Sequence, residues 1–238
     1  PFLFDLSLCS SIMGNSIQKK FDVPKDHTAS AGHLRLWKIW PGKAKDSNQQ
    51  VSIWTFDKNE LLKKKDKNDK GLDKNIVEQI HQIMKKDLTV MKESQGCPHL
   101  ISTIEVIEES KSGFIFTTEK IICSLADILY NFENIPSGKL AHTEFFDDGD
   151  TVSEVEISRA LLTLTEGVQY MNNVQRRFHM NINPESIVIT ANGQWKLCGF
   201  GFSLSYQQGD QQRIPSPYFL KQVTPTVSGS LIRLEPDV

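Results

Sequence analysis

Apolar residues along this chain switch between two periods. From Leu36 to Trp40 and from Val51 to Phe56, β-branched and aromatic residues crowd into short runs. The intervening Pro41-Gly42-Lys43-Ala44-Lys45-Asp46-Ser47-Asn48 has turn chemistry, so the two runs predict a β-hairpin. Ile76, Ile80, Ile83, Leu88 and Met91 then recur near helical spacing. Ile101 to Ile107 and Gly113 to Thr118 read as two more strands, and Thr118 to Cys123 as a hinge into a second half. There Ser153-x-x-Glu156 makes a capping box ahead of Ile157, Leu161, Leu164, Val168 and Met171, the predicted apolar face of a helix. Ile187-Val188-Ile189 and Trp195-Lys196-Leu197, joined through Asn192-Gly193, predict a second hairpin. The element order gives an α+β fold with a β-rich N-lobe and a helical C-lobe, without internal repeats.

The second hairpin carries two eroded motifs. Phe178-His179-Met180-Asn181-Ile182-Asn183-Pro184-Glu185-Ser186 is followed, thirteen residues after Ser186, by Gly199-Phe200-Gly201. This layout resembles a protein-kinase active site, in which an Asp accepts the substrate proton and an Asn and a second Asp hold magnesium. The resemblance places Asn181, Ser186 and Gly199 at those three positions, and Asn183 where a Lys meets the transferred phosphate. An amide is neither an effective base nor an anion, and glycine offers a hard cation no side-chain oxygen. Upstream, Val51-Ser52-Ile53-Trp54 stands where a kinase strand ends in its phosphate-binding Lys, and an indole at Trp54 should intrude on the nucleotide pocket. Ala29, Ala31 and Leu34 occupy glycine positions of the phosphate loop, with Gly32 out of register. Asp87 is the nearest acidic candidate for the helix Glu that pairs with that Lys, and its partner is missing. No catalytic residue, metal ligand or cofactor site is therefore expected.

The wording of several segments is similar to the SCY1-like pseudokinase family, most of all to its coated-vesicle-associated, clathrin- and adaptor-binding branch. The matching phrases include Ala29-Ser30-Ala31-Gly32, Trp37-Lys38-Ile39, Phe56-Asp57-Lys58, Thr118-Glu119, Ser124-Leu125, Phe132-Glu133-Asn134-Ile135-Pro136-Ser137, Glu166-Gly167 and Gly193-Gln194-Trp195-Lys196-Leu197-Cys198-Gly199-Phe200. The likeness runs from about Gly14 to about Leu220 and fades after Pro217-Tyr218-Phe219-Leu220. It implies an N-terminal extension over 1–22 and a kinase-like domain over 23–238, with the N-lobe at about 23–118. A partial C-lobe at about 123–238 would be truncated after the activation segment, so the chain is expected to be a piece of a longer protein. The implied role is a catalytically inactive scaffold linking clathrin and adaptors, cytoplasmic and peripheral on coated vesicles, endosomes or the trans-Golgi. Two rivals stay open. One is an atypical active Ser/Thr kinase drawing on Lys58 and Asp147-Asp148-Gly149-Asp150; the other is an ATP-binding sensor without turnover.

Composition narrows the partners. A net charge of −2 over 238 residues disfavours nucleic acid, and 39% hydrophobic with 24% charged residues suits a domain with a buried core. Cys9, Cys97, Cys123 and Cys198 are scattered without metal-ligand spacing, and no apolar run reaches the roughly 18 residues of a membrane span. Met13-Gly14-Asn15-Ser16-Ile17-Gln18 is like a myristoylation start, except that Gln18 stands where Ser or Thr is wanted. Lys63-Lys64-Lys65-Asp66-Lys67-Asn68-Asp69-Lys70 reads as a solvated loop before it reads as an acidic-lipid contact. His179 and Phe200 read as packing residues. Leu231, Ile232, Leu234 and Glu235 fit the clathrin-box pattern, an extended peptide whose alternating apolar residues fill pockets, and they also overlap the expected end of the activation segment.

Overall fold

The two β-rich runs pair as expected, and the strands on either side of them extend the pairing into a sheet. The computed structural model describes residues 15–63, 73–133, 135–136 and 153–206. From the N-terminal side, α1 (Asn15–Lys20) leads into β1 (Phe21–Asp22), β2 (Ala29–Ala31), a 3-10 turn (His33–Arg35) and β3 (Trp37–Ala44). There follow β4 (Gln50–Asp57), α2 (Lys58–Lys63), the long α3 (Lys74–Glu93), β5 (Glu105–Glu109) and β6 (Gly113–Glu119). The sheet order is β1-β3-β4-β6-β5, antiparallel, with β2 also pairing β3. The lower lobe holds β7 (Ile121–Ser124), α4 (Leu125–Leu129), α5 (Glu154–Asn173), β8 (Arg177–Phe178) and a 3-10 turn (Pro184–Ser186). It continues with β9 (Ile187–Thr190), β10 (Trp195–Leu197), a 3-10 turn (Phe200–Phe202) and β11 (Leu204–Ser205).

Alternation along β4 sorts its side chains to two faces. Trp54 and Phe56 enter the main core with Trp37, Phe114, Phe116, Met84, Leu88 and Phe200. Val51 and Ile53 face the opposite way, onto Trp40, Ile115, Ile17 and Phe21. Ile17 is fully buried and β1 pairs Phe21 with Ala44, so the folded sheet includes residues upstream of 23. The predicted turn also shrinks, because Pro41 to Ala44 belong to β3. The Ile39 carbonyl accepts from the Thr28 amide, so residues 39, 41 and 43 turn their backbone groups toward β1 and β2. Pro41 falls between those two pairings, where a missing N–H costs nothing.

Two helix faces come out rotated from the expected stripes. The buried face of α3 is Val77, Ile80, Met84, Asp87, Leu88 and Met91, while Ile76 and Ile83 lie at its margins. On α5 the capping box of Ser153 and Glu156 forms as expected, but the buried stripe is Ala160, Leu164, Gly167 and Met171. Ile157 and Leu161 are 42% and 60% exposed. The expected strand over 101–107 begins only at Glu105. Before it, Ile101 is a buried loop residue whose amide donates to the Leu197 carbonyl of the lower lobe. The expected hinge narrows likewise, since Ile121 to Ser124 pair with β9. Residues 1–14, Lys64 to Lys70, Asp147 to Asp150, and Leu231, Ile232, Leu234 and Glu235 lie outside the described residues.

Candidate functional site

The segment that enters the lower hairpin is organised by its own short polar side chains. Asn183 caps the turn Pro184–Ser186, its Oδ1 accepting from the amides of Glu185 (2.9 Å) and Ser186 (3.1 Å). The Ser186 hydroxyl accepts from the Asn183 amide and donates to the Asn183 carbonyl, both at 2.9 Å. Asn183 Nδ2 donates to Asn181 Oδ1 at 3.1 Å, and the Asn181 amide donates to His179 Nδ1 at 3.2 Å. That acceptor role leaves Nε2 as the protonated nitrogen, which donates to the Cys198 carbonyl at 2.9 Å. Burial holds the His179 pKa down at about 4, so the ring is a neutral spacer packed edge-on against Phe200. Asn181, Asn183 and Ser186 are thus brought together, and their groups are largely taken up by one another and by the backbone around them.

Gly199 closes the far side of this loop. Its φ of +75° is left-handed, and a Cβ there would lie 2.9 Å from the Ser186 Cβ and 3.7 Å from the Gly32 Cα. The next amide, Phe200, donates to Asp87 Oδ1 at 2.7 Å, and the Trp37 indole donates to Asp87 Oδ2 at 2.7 Å. Asp87 therefore has partners after all, and they are two N–H donors rather than a lysine. It is 1% exposed, and burial raises its pKa to about 6 against the opposing pull of the two donors. This three-way junction of β3, α3 and the Gly199-Phe200 turn was missed by motif reading. Its signal lay in Trp37 itself, since a buried indole N–H needs an acceptor.

The segment from Ala29 to Leu36 folds down onto the loop below it. Ala29 and Ala31 are fully buried, and Ser30 donates through its amide (3.0 Å) and hydroxyl (2.7 Å) to the Asp127 carboxylate on α4. The Gly32 amide donates to the Glu185 carbonyl at 2.6 Å, and the Leu34 amide to Glu185 Oε2 at 3.0 Å. Gly32 has φ +71°, and a Cβ there would lie 2.6 Å from Trp37 Cδ1, so this approach needs glycine. Leu34 and Arg35 are left-handed as well, at φ 53° and 54°, which costs about 1–2 kcal/mol for each non-glycine residue. Arg35 stacks over the Tyr130 ring at 4.6 Å and faces Glu185 at 3.9 Å. The Trp54 indole is fully buried, stacked 5.6 Å from Phe116, with its N–H on Thr118 Oγ1 (2.8 Å) at the hinge end of β6.

Comparison with known proteins places this geometry in a family. Residues 43–226 match the family model described as Protein kinase domain. The chain belongs to the protein kinase domain family. SCY1-like protein 2 of Mus musculus is 31% identical over 208 residues, 87% of this chain and 21% of that protein. The Homo sapiens SCY1-like protein 2 is 32% identical over the same shares. The protein kinase domain-containing protein ppk32 of Schizosaccharomyces pombe is 32% identical over 193 residues, 80% of this chain and 25% of that protein. These homologues support the SCY1-like family for this domain, which spans about a fifth of the SCY1-like protein 2 chains it matches.

A kinase domain implies ATP and magnesium, and the described loop amides and Gly199 do not fit the phosphates or the metal. The loop amides that would face phosphate are directed to Glu185, and the Gly199 position has no room for a carboxylate beside Ser186. Among the described residues no three His, Cys, Asp or Glu side chains converge as a metal site. The Lys58 ammonium, a conceivable substitute cation, is engaged by Glu78 on α3. A cavity of about 70 Å³ lies against the same folded-down segment, lined by Leu34, Arg35, Leu36, Phe56 and Leu61 among others, well below the roughly 300 Å³ of a small-molecule site. Cys97, Cys123 and Cys198 are buried free thiols, and among the described residues no helix is long and apolar enough to cross a membrane.

Proposed function

We propose that this domain is a catalytically inactive, nucleotide-free kinase-like scaffold. The observation that carries the proposal is the seating of Gly32 on the Glu185 carbonyl at 2.6 Å, with the Gly199 position packed against both Ser186 and Gly32. In a phosphoryl-transfer site that space must hold the terminal phosphates and their metal ions. Here the chain itself occupies it; the kinase resemblance puts the uncharged Trp54, Asn181, Asn183 and Gly199 where charged residues are expected, and Ser186 where a metal-binding Asn is. The buried indole of Trp54 also weighs against the ATP-sensor reading, and the Lys58–Glu78 pair against the atypical-kinase reading.

A thermal-shift titration with ATP alone and with ATP plus magnesium or manganese tests the inactive-scaffold reading. Ligand that binds only the folded state raises the melting temperature, so unchanged melting is expected, and a metal-dependent rise overturns the proposal. By resemblance to the SCY1-like family, the scaffold's partners are clathrin and its adaptors, at coated vesicles, endosomes or the trans-Golgi. A pull-down of clathrin terminal domain by the chain, lost in a variant carrying Leu231→Ala, Leu234→Ala and Glu235→Ala, is the outcome expected of that reading. Retention by the triple variant overturns the clathrin-box assignment.

A further inference from the structure

Buried carboxylates tie the cleft at both of its ends, and each is shared between the lobes. At the hinge end Asp127 on α4 is fully buried, and its Oδ2 accepts the Ser124 amide of its own capping box at 3.0 Å. The same oxygen accepts the Ser30 amide of β2 at 3.0 Å, while Oδ1 accepts the Ser30 hydroxyl at 2.7 Å. At the far end Asp87 on α3 accepts the Trp37 indole N–H of its own lobe and the Phe200 amide of the other, each at 2.7 Å. Between these two points the Gly32 amide meets the Glu185 carbonyl at 2.6 Å. The apolar interior does not divide at the cleft either. Trp37, Met84 and Leu88 from the upper lobe share one buried cluster with Val188, Leu197 and Phe200 from the lower. Lobes that swing about a hinge move as separate bodies, each keeping its own core. Here a swing would uncover apolar surface and take donors from two buried carboxylates in the same step.

We propose that Asp127 and Asp87 are paired latches that remove the hinge, so that the lobes part only when the whole domain unfolds. The inference rests on the closed-cleft reading above and deepens it, because it makes the closure a fixed property of the fold rather than one pose of a moving cleft.

The test is native-state hydrogen exchange of the whole chain, without ligand, over a series of sub-denaturing urea concentrations. The Ser30, Gly32 and Phe200 amides, which cross the cleft, are read against Trp54 and Phe116 in the central strands. All five are expected to share one urea slope and to agree in protection within about threefold, the behaviour of a single cooperative unit. Ser30, Gly32 and Phe200 exchanging at least about tenfold faster, through a common opening of shallower slope, overturns the proposal. Ser30→Ala then removes one bond at the hinge end and leaves the rest in place. It is expected to lower the protection of Gly32, Phe200 and Trp54 alike, by about tenfold, as the loss of a hydrogen bond to a charged group implies. A loss confined to Gly32, with Phe200 and Trp54 unchanged, overturns the latches. Repeating the wild-type exchange with ATP separates the two readings. Protection added by ATP sinks the nucleotide-free reading, whereas a fast cleft opening that ATP leaves unaltered sinks only the latches.

Discussion

Replacing Asp87 by Asn probes the junction that joins the two lobes. Asp87 accepts from Trp37 Nε1 and from the Phe200 amide, each at 2.7 Å, while almost wholly shielded from water. The rise of its pKa from 3.8 to about 6 amounts to about 3 kcal/mol of preference for the neutral acid in the fold. A group with a raised pKa gives stability that is fully present below its unfolded value and is lost as pH rises through its folded value. Between pH 4.5 and 7.5 that contribution falls by about 2 kcal/mol, because the unfolded carboxyl is already mostly ionised at pH 4.5. Asn does not titrate. It also offers only one carbonyl oxygen to two donors, which costs about 1–3 kcal/mol at every pH. Urea unfolding followed by tryptophan fluorescence measures both terms. Wild type is expected to exceed Asp87→Asn by a margin about 2 kcal/mol larger at pH 4.5 than at pH 7.5. His33 and His179, which burial holds at about 4, titrate in both proteins and cancel in the difference. A margin that is flat, or that widens toward pH 7.5, refutes the reasoning.

Three further outcomes follow from the same geometry. Gly199→Asp, which restores the acidic residue of the kinase motif, puts a Cβ 2.9 Å from that of Ser186; it should destabilise the fold by about 1–3 kcal/mol and give no magnesium-dependent phosphate release in an ATPase assay. Trp54→Lys removes a fully buried indole and its bond to Thr118, so a loss of about 3–5 kcal/mol is expected by thermal or denaturant unfolding, and wild-type stability would contradict the core position. The ring resonances of His179 should report a neutral Nε2–H tautomer with no titration between pH 7 and pH 5 by NMR, and a midpoint near 6.5 would contradict its burial.

Local pattern carried the elements well and their faces poorly. The hairpin over β9 and β10 and the capping box of α5 are set by neighbours within about ten residues, and both form where the spacing puts them. The buried stripes of α3 and α5 depend instead on what packs against them, so Ile83 and Leu161 counted as core in the pattern while Met84 and Ala160 hold the interior. The site was legible as a set of expected absences: the kinase resemblance puts the uncharged Trp54, Asn181 and Gly199 where charged residues are expected, and Ser186 where an Asn is. The contacts the cleft makes were not legible, because they join residues 50, 113 and 151 positions apart in the chain, from Trp37 to Asp87, Asp87 to Phe200 and Leu34 to Glu185.

Those three contacts also bear on any single charge introduced into this cleft. A strand lysine at position 54 would need an anion, and Asp87 already serves two N–H donors; a carboxylate at 199 would need a cation, and its space is taken by Ser186 and Gly32. Restoring one charge alone therefore leaves it buried without a counter-charge, a cost of about 3–5 kcal/mol where a buried pair is broken. The arrangement is consistent at every level from side-chain capping to lobe contact, and a charged cleft at this place would require several coordinated changes rather than one.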